Sequence, residues 1–219
     1  MQGSNNKEEI IHLVDIQKSY DVGGNLVPVL KGLDLSVMPG EFLAITGPSG
    51  NGKSTLLNMI TGIDRPTQGE VFVNGSPVHT MSENQLATWR GENVGIIFQF
   101  FQLLPSLNLI ENVTIPMDFR NTYPLGERAE RALHLLEQVG IAEHAYKTPA
   151  KISGGQQQQL AIARALASQP KMLILDEPTA TLPGDDVQRL FEVIHRLKER
   201  GVSILYVSHH LDEVFELAD

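Results

Sequence analysis

The chain has 219 residues, of which 42% are apolar and 20% charged, a composition typical of a folded globular protein that argues against disorder. Its net charge of −9 disfavours a nucleic-acid binder that works through a basic face. The absence of cysteine excludes disulfides, thiolate metal sites and cysteine nucleophiles, and no apolar run reaches the length of about 18 residues that a membrane-spanning helix needs.

The N-terminal part shows strand patterns beside turn sequences. Strands are predicted over residues 10–16, 27–37 and 69–73, and the turn sequences GGN and VNGS lie next to them. Strands joined by short turns of this kind predict an antiparallel sheet.

Four further runs are short, apolar and bounded by turn residues, as buried parallel strands are. They cover residues 41–46, 94–98, 172–175 and 203–207. Helical periodicity lies between them, with apolar stripes at 129–139 and 187–197 that are each followed by a glycine. The alternation predicts an α/β fold with a mostly parallel sheet, and the residues from about 85 to 167 read as an inserted helical subdomain.

The most specific motif is a glycine-rich loop, GPSGNGKST, that follows a predicted strand and opens a predicted helix over Lys53–Ile60. It matches the phosphate-binding pattern G-x-x-x-x-G-K-[ST], whose glycines let backbone N–H groups surround a phosphate. Lys53 adds a positive charge toward the β- and γ-phosphates, and the hydroxyl of Ser54 can ligate Mg²⁺. The loop consists of Gly47, Pro48, Ser49, Gly50, Asn51, Gly52, Lys53, Ser54 and Thr55.

Two acids, Asp176 and Glu177, follow the apolar run at 172–175. At the carboxyl end of a parallel strand, side chains face the crevice in which nucleotides bind. We expect Asp176 to hold Mg²⁺ and Glu177 to act as general base on an attacking water. Two surface acids that merely end a strand are the alternative for this pair taken alone.

A second glycine-containing segment precedes a strong helical run at 160–167. This SGGQ segment consists of Ser153, Gly154, Gly155 and Gln156. A serine and two glycines at a helix start form an anion-binding concavity, although ordinary helix capping is the favoured reading of this segment taken alone. Together with the phosphate loop, the segment predicts that the second cradle of one chain closes on a nucleotide held by another.

In order and spacing, GPSGNGKST, ISGGQQQQLAIARAL, LILDEPT and YVSHH resemble the nucleotide-binding domain of ATP-binding-cassette (ABC) transporters. The resemblance covers the whole chain, 1–219, and implies one ABC ATPase domain with a P-loop NTPase core. The core would comprise about 8–84 and 168–219, and the helical subdomain about 85–167. The segment GENVGIIFQFFQLLPSLNLIENVTIPM is similar to the lipoprotein-releasing and macrolide- or peptide-exporting branch.

The resemblance implies an ATP- and Mg²⁺-dependent ATPase at the cytoplasmic face of the membrane, paired with transmembrane permease subunits. Two copies would enclose two ATP molecules, each between one phosphate loop and the partner's SGGQ segment. It further implies that Tyr20 stacks on adenine, that Gln99 contacts Mg²⁺ and relays nucleotide state, and that His209 contacts the γ-phosphate. The cargo would be lipoproteins, peptides or hydrophobic compounds.

The chain departs from the family pattern at two positions. Pro183 stands where the family has an aspartate that acts across the dimer, and it has neither the charge nor an N–H group. Asp185 or Asp186 would replace that aspartate only if the loop shifts. Gln159 replaces a family arginine, which we expect to affect local ion pairing more than chemistry.

Three alternatives stay open. A regulatory or cell-division ATPase of the same family with weak turnover is compatible with Pro183. A DNA-repair or chromosome-structure ATPase is disfavoured by the net charge, by the lack of zinc-binding cysteines and by the gap of 54 residues from Gln99 to Ser153, which is too short for a long coiled coil. A small-molecule P-loop kinase would leave the SGGQ segment without a role.

Overall fold

The computed structural model describes residues 9–98, 101–180 and 182–218. The strands in these ranges are β1 (Ile11–Val22), β2 (Asn25–Val37), β3 (Phe42–Thr46), β4 (Gln68–Val73), β5 (Ser76–Pro77), β6 (Val94–Ile97), β7 (Met172–Asp176) and β8 (Ser203–Ser208). The α-helices are α1 (Lys53–Ile60), α2 (Glu83–Asn93), α3 (Leu109–Arg120), α4 (Leu125–Gln138), α5 (Gly154–Leu166), α6 (Gly184–Glu199) and α7 (Leu211–Leu217). Short 3-10 helices cover Val78–Thr80, Ala142–His144 and Pro149–Lys151.

The predicted antiparallel sheet is confirmed, with strand order β2-β1-β4-β5. The β1–β2 hairpin turns at Gly23 and Gly24, which both have positive φ, as this tight turn requires. β1 continues beyond the predicted end at residue 16. Its pairing with β2 shifts register between Leu13 and Ile16, where Asp15 has φ 46°, and this irregularity interrupts the alternation on which the prediction relied.

The predicted parallel strands are also confirmed, and each boundary agrees to within one residue. Their order is β3-β8-β7-β6, so the strand that precedes the phosphate loop and the strand that carries the acids are separated only by β8. All three end at the same edge of the sheet because they run parallel. This arrangement gathers the sequence motifs at one edge.

Apolar residues cover both faces of the parallel sheet. On β7, Met172 and Ile174 belong to a core shared with α1 and the antiparallel sheet, whereas Leu173 and Leu175 belong to a core shared with α3 to α6. Successive side chains of a strand point to opposite faces, so a strand buried on both sides needs a continuous apolar run. That requirement explains why the run at 172–175 predicted a buried strand.

Helices α3, α4 and α5 pack against one another beside the sheet. Arg128 of α4 is buried and donates to Asp118 and Asn121 at the end of α3, so this pair of helices is joined by charge and hydrogen bonds as well as apolar contact. Across the described ranges, no helix is both long and apolar enough to cross a bilayer.

Candidate functional site

The phosphate loop connects β3 to α1, and its glycines have the backbone dihedrals of a cradle. Gly47, Gly50 and Gly52 have φ of 148°, 85° and 85°, values that glycine adopts without steric cost. Gly52 is the N-cap of α1 and supplies no side-chain cap. The first N–H groups of the helix therefore have no side-chain acceptor at the cap and can bind an anion.

Gly52 is also required by packing. A Cβ atom there would lie 3.0 Å from Cγ1 of Val29 and 3.2 Å from Cδ2 of Leu30, both on β2. The antiparallel sheet therefore supports the loop from one side, and any side chain at position 52 would both strain the backbone and push against β2.

Lys53 folds back over the loop. Its Nζ donates to the carbonyl oxygens of Gly47 at 2.7 Å and Pro48 at 3.1 Å. The ammonium group is thus held at the mouth of the cradle. A phosphate bound by the loop would offer it a charged acceptor in exchange for these neutral carbonyls.

Asp176 ends β7 beside this cradle. Burial raises the pKa of its carboxyl group, the negative charge of Glu177 raises it further, and the positive charge of Lys53 opposes both. The carboxylate is therefore a partly desolvated charge that a bound cation would stabilise.

Glu177 has a left-handed backbone with φ 47°, uncommon for a residue with a side chain. Its N–H donates to the carbonyl of Val207 on β8 at 2.9 Å, and its Oε1 lies 3.5 Å from Nδ1 of His209. The structure thus brings together the predicted general base and the predicted γ-phosphate contact, which are far apart in sequence. Such strain at a site is typical of functional positions.

Sequence reasoning missed the residue that fixes the end of β8. Glu213 of α7 accepts hydrogen bonds from the hydroxyls of Tyr206 at 2.9 Å and Ser208 at 2.8 Å. Burial and the adjacent Glu213 carboxylate raise the pKa of Tyr206, so its hydroxyl remains a donor. Ser208 Oγ also accepts the N–H of His210. These bonds fix the backbone on both sides of His209. In the sequence, the only signal for this role of Glu213 is its position shortly after the histidine.

Tyr20 lies on β1 and is half-buried. Its hydroxyl donates to Asp64 at 2.9 Å, and Lys18 both pairs with Asp64 at 2.7 Å and lies 4.8 Å from the centre of the Tyr20 ring. Burial opposes ionisation of Asp64, but hydrogen bonds from Lys18, the N–H of Arg65 and Tyr20 outweigh it and lower its pKa. Asp64 was not predicted, since it is 44 residues from Tyr20 in sequence.

The SGGQ segment forms the start of α5. Ser153 is its N-cap: Ser153 Oγ accepts the N–H of Gln156 at 3.2 Å, and Gln156 Oε1 accepts the N–H of Ser153 at 3.0 Å. This reciprocal capping box fixes the first turn. Ser153 and Gly154 are exposed, whereas Gly155 is buried.

α5 packs mainly against α3, α4, β6 and α6, whereas α1 packs against β2 and β4. The SGGQ segment and the phosphate loop therefore begin helices that pack against different parts of the fold. Within one chain, neither segment supports the other.

Pro183 is the N-cap of α6 and makes no side-chain cap bond. Its carbonyl oxygen accepts the N–H groups of Asp186 and Val187. The side chain of Asp186 packs directly over Gly155, where a Cβ atom would lie 2.1 Å from its carboxyl carbon. Asp186 thus turns toward the SGGQ segment of its own chain, and a side chain at position 155 would require the Asp186 carboxylate to move.

The oxygen donors near the cradle suit a hard cation. Ser54 is exposed in the first turn of α1 and Asp176 ends β7. Across the described ranges, no cluster of three or more His, Asp or Glu side chains could hold a metal ion by itself. Mg²⁺ typically uses one or two protein ligands together with phosphate oxygens and water, so this sparse donor set fits it. The predicted ligand Gln99 lies outside the described residues.

The family model described as "ABC transporter" matches residues 30–180. The ATP-binding protein LolD of the lipoprotein-releasing system of Anaeromyxobacter dehalogenans is 41% identical over 216 residues, which cover 95% of this chain and 90% of that protein. The macrolide export ATP-binding/permease protein MacB of Bdellovibrio bacteriovorus is 39% identical over 200 residues, or 91% of this chain and 30% of MacB.

A solved structure is similar over nearly the whole fold. It is the dimeric structure of a post-hydrolysis state of the ATP-binding cassette MJ0796 bound to ADP and Pi, with a TM-score of 0.86 and 35% identity. The match covers 94% of this chain and 90% of that one.

Proposed function

The chain belongs to the ABC transporter family and is an ATPase, and from this premise we propose that it powers a membrane transporter by closing as a dimer around two ATP molecules. One observation carries the proposal. The phosphate loop, Asp176, Glu177 and His209 all lie at the same edge of the parallel sheet, where β3, β7 and β8 end.

The nucleotide is held by the phosphate loop in this proposal. Backbone N–H groups of the loop and of the first turn of α1 bind the phosphates, and Lys53 neutralises their charge. Tyr20 stacks on the adenine ring, and the contacts of Tyr20 with Asp64 and Lys18 hold the tyrosine ring in place. Mg²⁺ would be held by Ser54, by Gln99 and, through water, by Asp176, and would supply charge neutralisation at the phosphates.

Hydrolysis is assigned to Glu177 and His209. A Glu177 carboxylate oxygen takes a proton from the attacking water as the new oxygen–phosphorus bond forms, and ADP leaves with the electron pair of the broken bond. His209 lies 3.5 Å from that carboxylate and would contact the γ-phosphate. Glu213 keeps His209 in place by fixing the backbone on both sides of it.

The second half of each site comes from another copy of the chain. The SGGQ segment has exposed residues and a helix N-terminus but no lysine or carboxylate of its own, so it is suited to completing a site and not to forming one alone. The dimeric structure of the MJ0796 cassette supports this arrangement. Residues 153–156 of one chain would then close on the nucleotide in the phosphate loop of the other.

We assign the docking surface for the permease partner to a groove of about 800 Å³ between α2, β6, α3 and α5. Its wall contains Phe119, which is 87% exposed, together with Ile115, Gln102 and Arg164. Arg164 donates to the carbonyls of Phe101 and Gln102 and so ties α5 to the segment that follows Gln99. An apolar wall beside the half-buried Arg164 cation suits a helix of the permease. The chain would then lie at the cytoplasmic face of the membrane.

The cargo follows from the relatives. LolD acts in lipoprotein release and MacB in macrolide export, so we assign this chain to a transporter that exports or extracts lipoproteins, peptides or hydrophobic compounds. The domain division assigned to it is a nucleotide-binding core at about 8–84 and 168–219, with the helical part at about 85–167.

Steady-state hydrolysis of Mg-ATP by wild type and Glu177→Gln tests the chemistry. Loss of the general base lowers kcat by about 10²- to 10⁴-fold, whereas nucleotide affinity is retained. Glu192→Gln, which changes an exposed acid of α6, is the matched control and retains wild-type turnover.

Normal turnover by Glu177→Gln would show that another group activates the water. If wild-type turnover stays near background even with a permease partner in vesicles, a regulatory ATPase is favoured instead. Pro183 is compatible with that role.

A further inference from the structure

His144 lies beside the SGGQ segment but is not part of it. Its Nε2 atom is 2.8 Å from Nε2 of Gln156, and its side chain is only 17% exposed. We propose that His144 is a positioning residue that holds Gln156, and through it the start of α5, in the geometry that receives the nucleotide of a second chain. This rests on the proposed function, because the geometry matters only if the SGGQ segment closes on a nucleotide.

The capping box fixes the orientation of the Gln156 amide. Oε1 of Gln156 accepts the N–H of Ser153 at 3.0 Å, so the amide nitrogen is the group that faces His144. An amide NH₂ only donates hydrogen bonds. A hydrogen bond from this amide therefore requires an unprotonated Nε2, which in the neutral imidazole places the proton on Nδ1.

Two charged groups compete for the same imidazole. Oε1 of Glu143 is 3.4 Å from Nε2, and Nζ of Lys147 is 3.0 Å from Nδ1. Lys147 only donates hydrogen bonds, so its bond to Nδ1 requires that the imidazole proton be on Nε2. A protonated Nε2 would donate to Glu143 and could no longer accept the bond from Gln156. Lys147 and Glu143 are both exposed, and Lys147 can turn into solvent when Nδ1 carries the proton.

The backbone that carries His144 is fixed independently of its side chain. The carbonyl of His144 accepts the N–H of Lys147 at 2.8 Å. The first turn of α3 then binds this turn, since Leu109 and Ile110 donate to the carbonyls of Lys147 and Ala145 at 3.0 and 3.1 Å. Removal of the imidazole therefore leaves the Gln156 amide nitrogen without this acceptor and does not release the turn.

A glutamine at position 144 is the conservative replacement for this histidine. Its carbonyl oxygen would accept the same hydrogen bond from the amide NH₂ of Gln156 that Nε2 of His144 accepts.

Nitrogen-15 NMR of the imidazole tests the proton position in the intact chain, with the His144→Gln spectrum identifying the resonance. At pH 8 we expect the neutral tautomer with the proton on Nδ1. A dominant tautomer with the proton on Nε2 would overturn the proposal, whatever the nucleotide does.

The functional test measures the ATP concentration at which half the protein is dimeric, in the Glu177→Gln background. At pH 8, His144→Ala raises this concentration by about threefold to tenfold, as expected for one lost hydrogen bond, whereas His144→Gln stays close to the parent. His134→Ala, an exposed histidine of α4, is the control.

Equal dimerisation by His144→Ala and the parent would overturn the positioning role while leaving the dimer intact. If the parent itself stays monomeric with ATP, the proposed function fails, and the tautomer measurement still decides whether His144 holds Gln156.

Discussion

The phosphate loop and the SGGQ segment are both helix N-termini suited to anions, yet they are built in opposite ways. In the phosphate loop, Gly52 caps α1 without a side chain, and Lys53 and Asp176 bring charges of both signs. In the SGGQ segment, Ser153 and Gln156 satisfy each other in a capping box. The first cradle has free donors and its own charges, whereas the second is already capped and neutral.

This difference indicates a division of roles. A cradle with free donors and a lysine can bind a nucleotide by itself, whereas a capped and neutral cradle adds only what a complete site lacks. We therefore expect changes in the phosphate loop to act on a single chain, and changes in the SGGQ segment to act on the dimer.

Among the changes that test this comparison, the largest effect is expected from Asp176→Asn. Loss of the carboxylate lowers turnover by about 10²- to 10³-fold, because it removes a proposed Mg²⁺ ligand. Because burial raises the pKa of Asp176 in the folded state, the unfolded chain ionises more readily and stability falls as the pH rises above 3.8. Asp176→Asn therefore raises the Tm of the nucleotide-free protein at pH 7, as thermal unfolding would show.

Asp185→Asn is its control, because this exposed carboxylate lies in the first turn of α6. It should not raise the Tm. An unchanged Tm in Asp176→Asn would show that the carboxylate is better solvated than its burial implies.

Lys53→Ala comes next and separates the two cradles. It weakens ATP binding to the single chain by about 10- to 100-fold, the effect of losing charge-assisted bonds to phosphate. Isothermal titration with ATP measures this, and Lys151→Ala, a lysine beside the SGGQ segment, serves as control. If Lys151→Ala weakened binding to the single chain as much as Lys53→Ala does, the division of roles would be wrong.

Asp64→Asn should have a moderate effect on both affinity and stability. Asparagine keeps one acceptor oxygen where Asp64 uses two, one for Lys18 and one for Tyr20. We expect ATP affinity to fall about threefold and the Tm at pH 7 to fall by about 2–4 °C. The folded-state pKa of Asp64 is lowered, so its contribution to stability is present above the unfolded value and is lost as the pH falls below 3.8. The Tm difference between wild type and Asp64→Asn should therefore shrink in that acid range. A constant difference would assign the effect to packing.

Pro183→Asp gives the smallest expected change. The backbone of Pro183 already has the extended dihedrals of an N-cap, so an aspartate there can accept an N–H group of α6 and raise the Tm by about 2–4 °C. If the aspartate also acts across the dimer, turnover rises about twofold with it and not with Pro183→Ala. Equal turnover in both variants would mean that the loop is silent in this chain.

The features that could be predicted from the sequence are those that depend on residues close together in the chain. The parallel strands, the phosphate loop and the SGGQ segment were found because apolar runs and glycine spacing are local patterns. Asp64, Glu213 and His144 were not found, because each acts through a side-chain contact that the fold creates, such as the bond from Tyr20 to Asp64 across 44 residues. The roles assigned to the site residues stay predictions.

The mass of purified Glu177→Gln protein in solution, measured by sedimentation with and without Mg-ATP, tests the two-chain site most directly. A chain whose phosphate loop binds the nucleotide and whose SGGQ segment completes the partner's site should be a monomer without nucleotide and a dimer with it. A protein that binds ATP with ordinary affinity and remains a monomer would contradict the account.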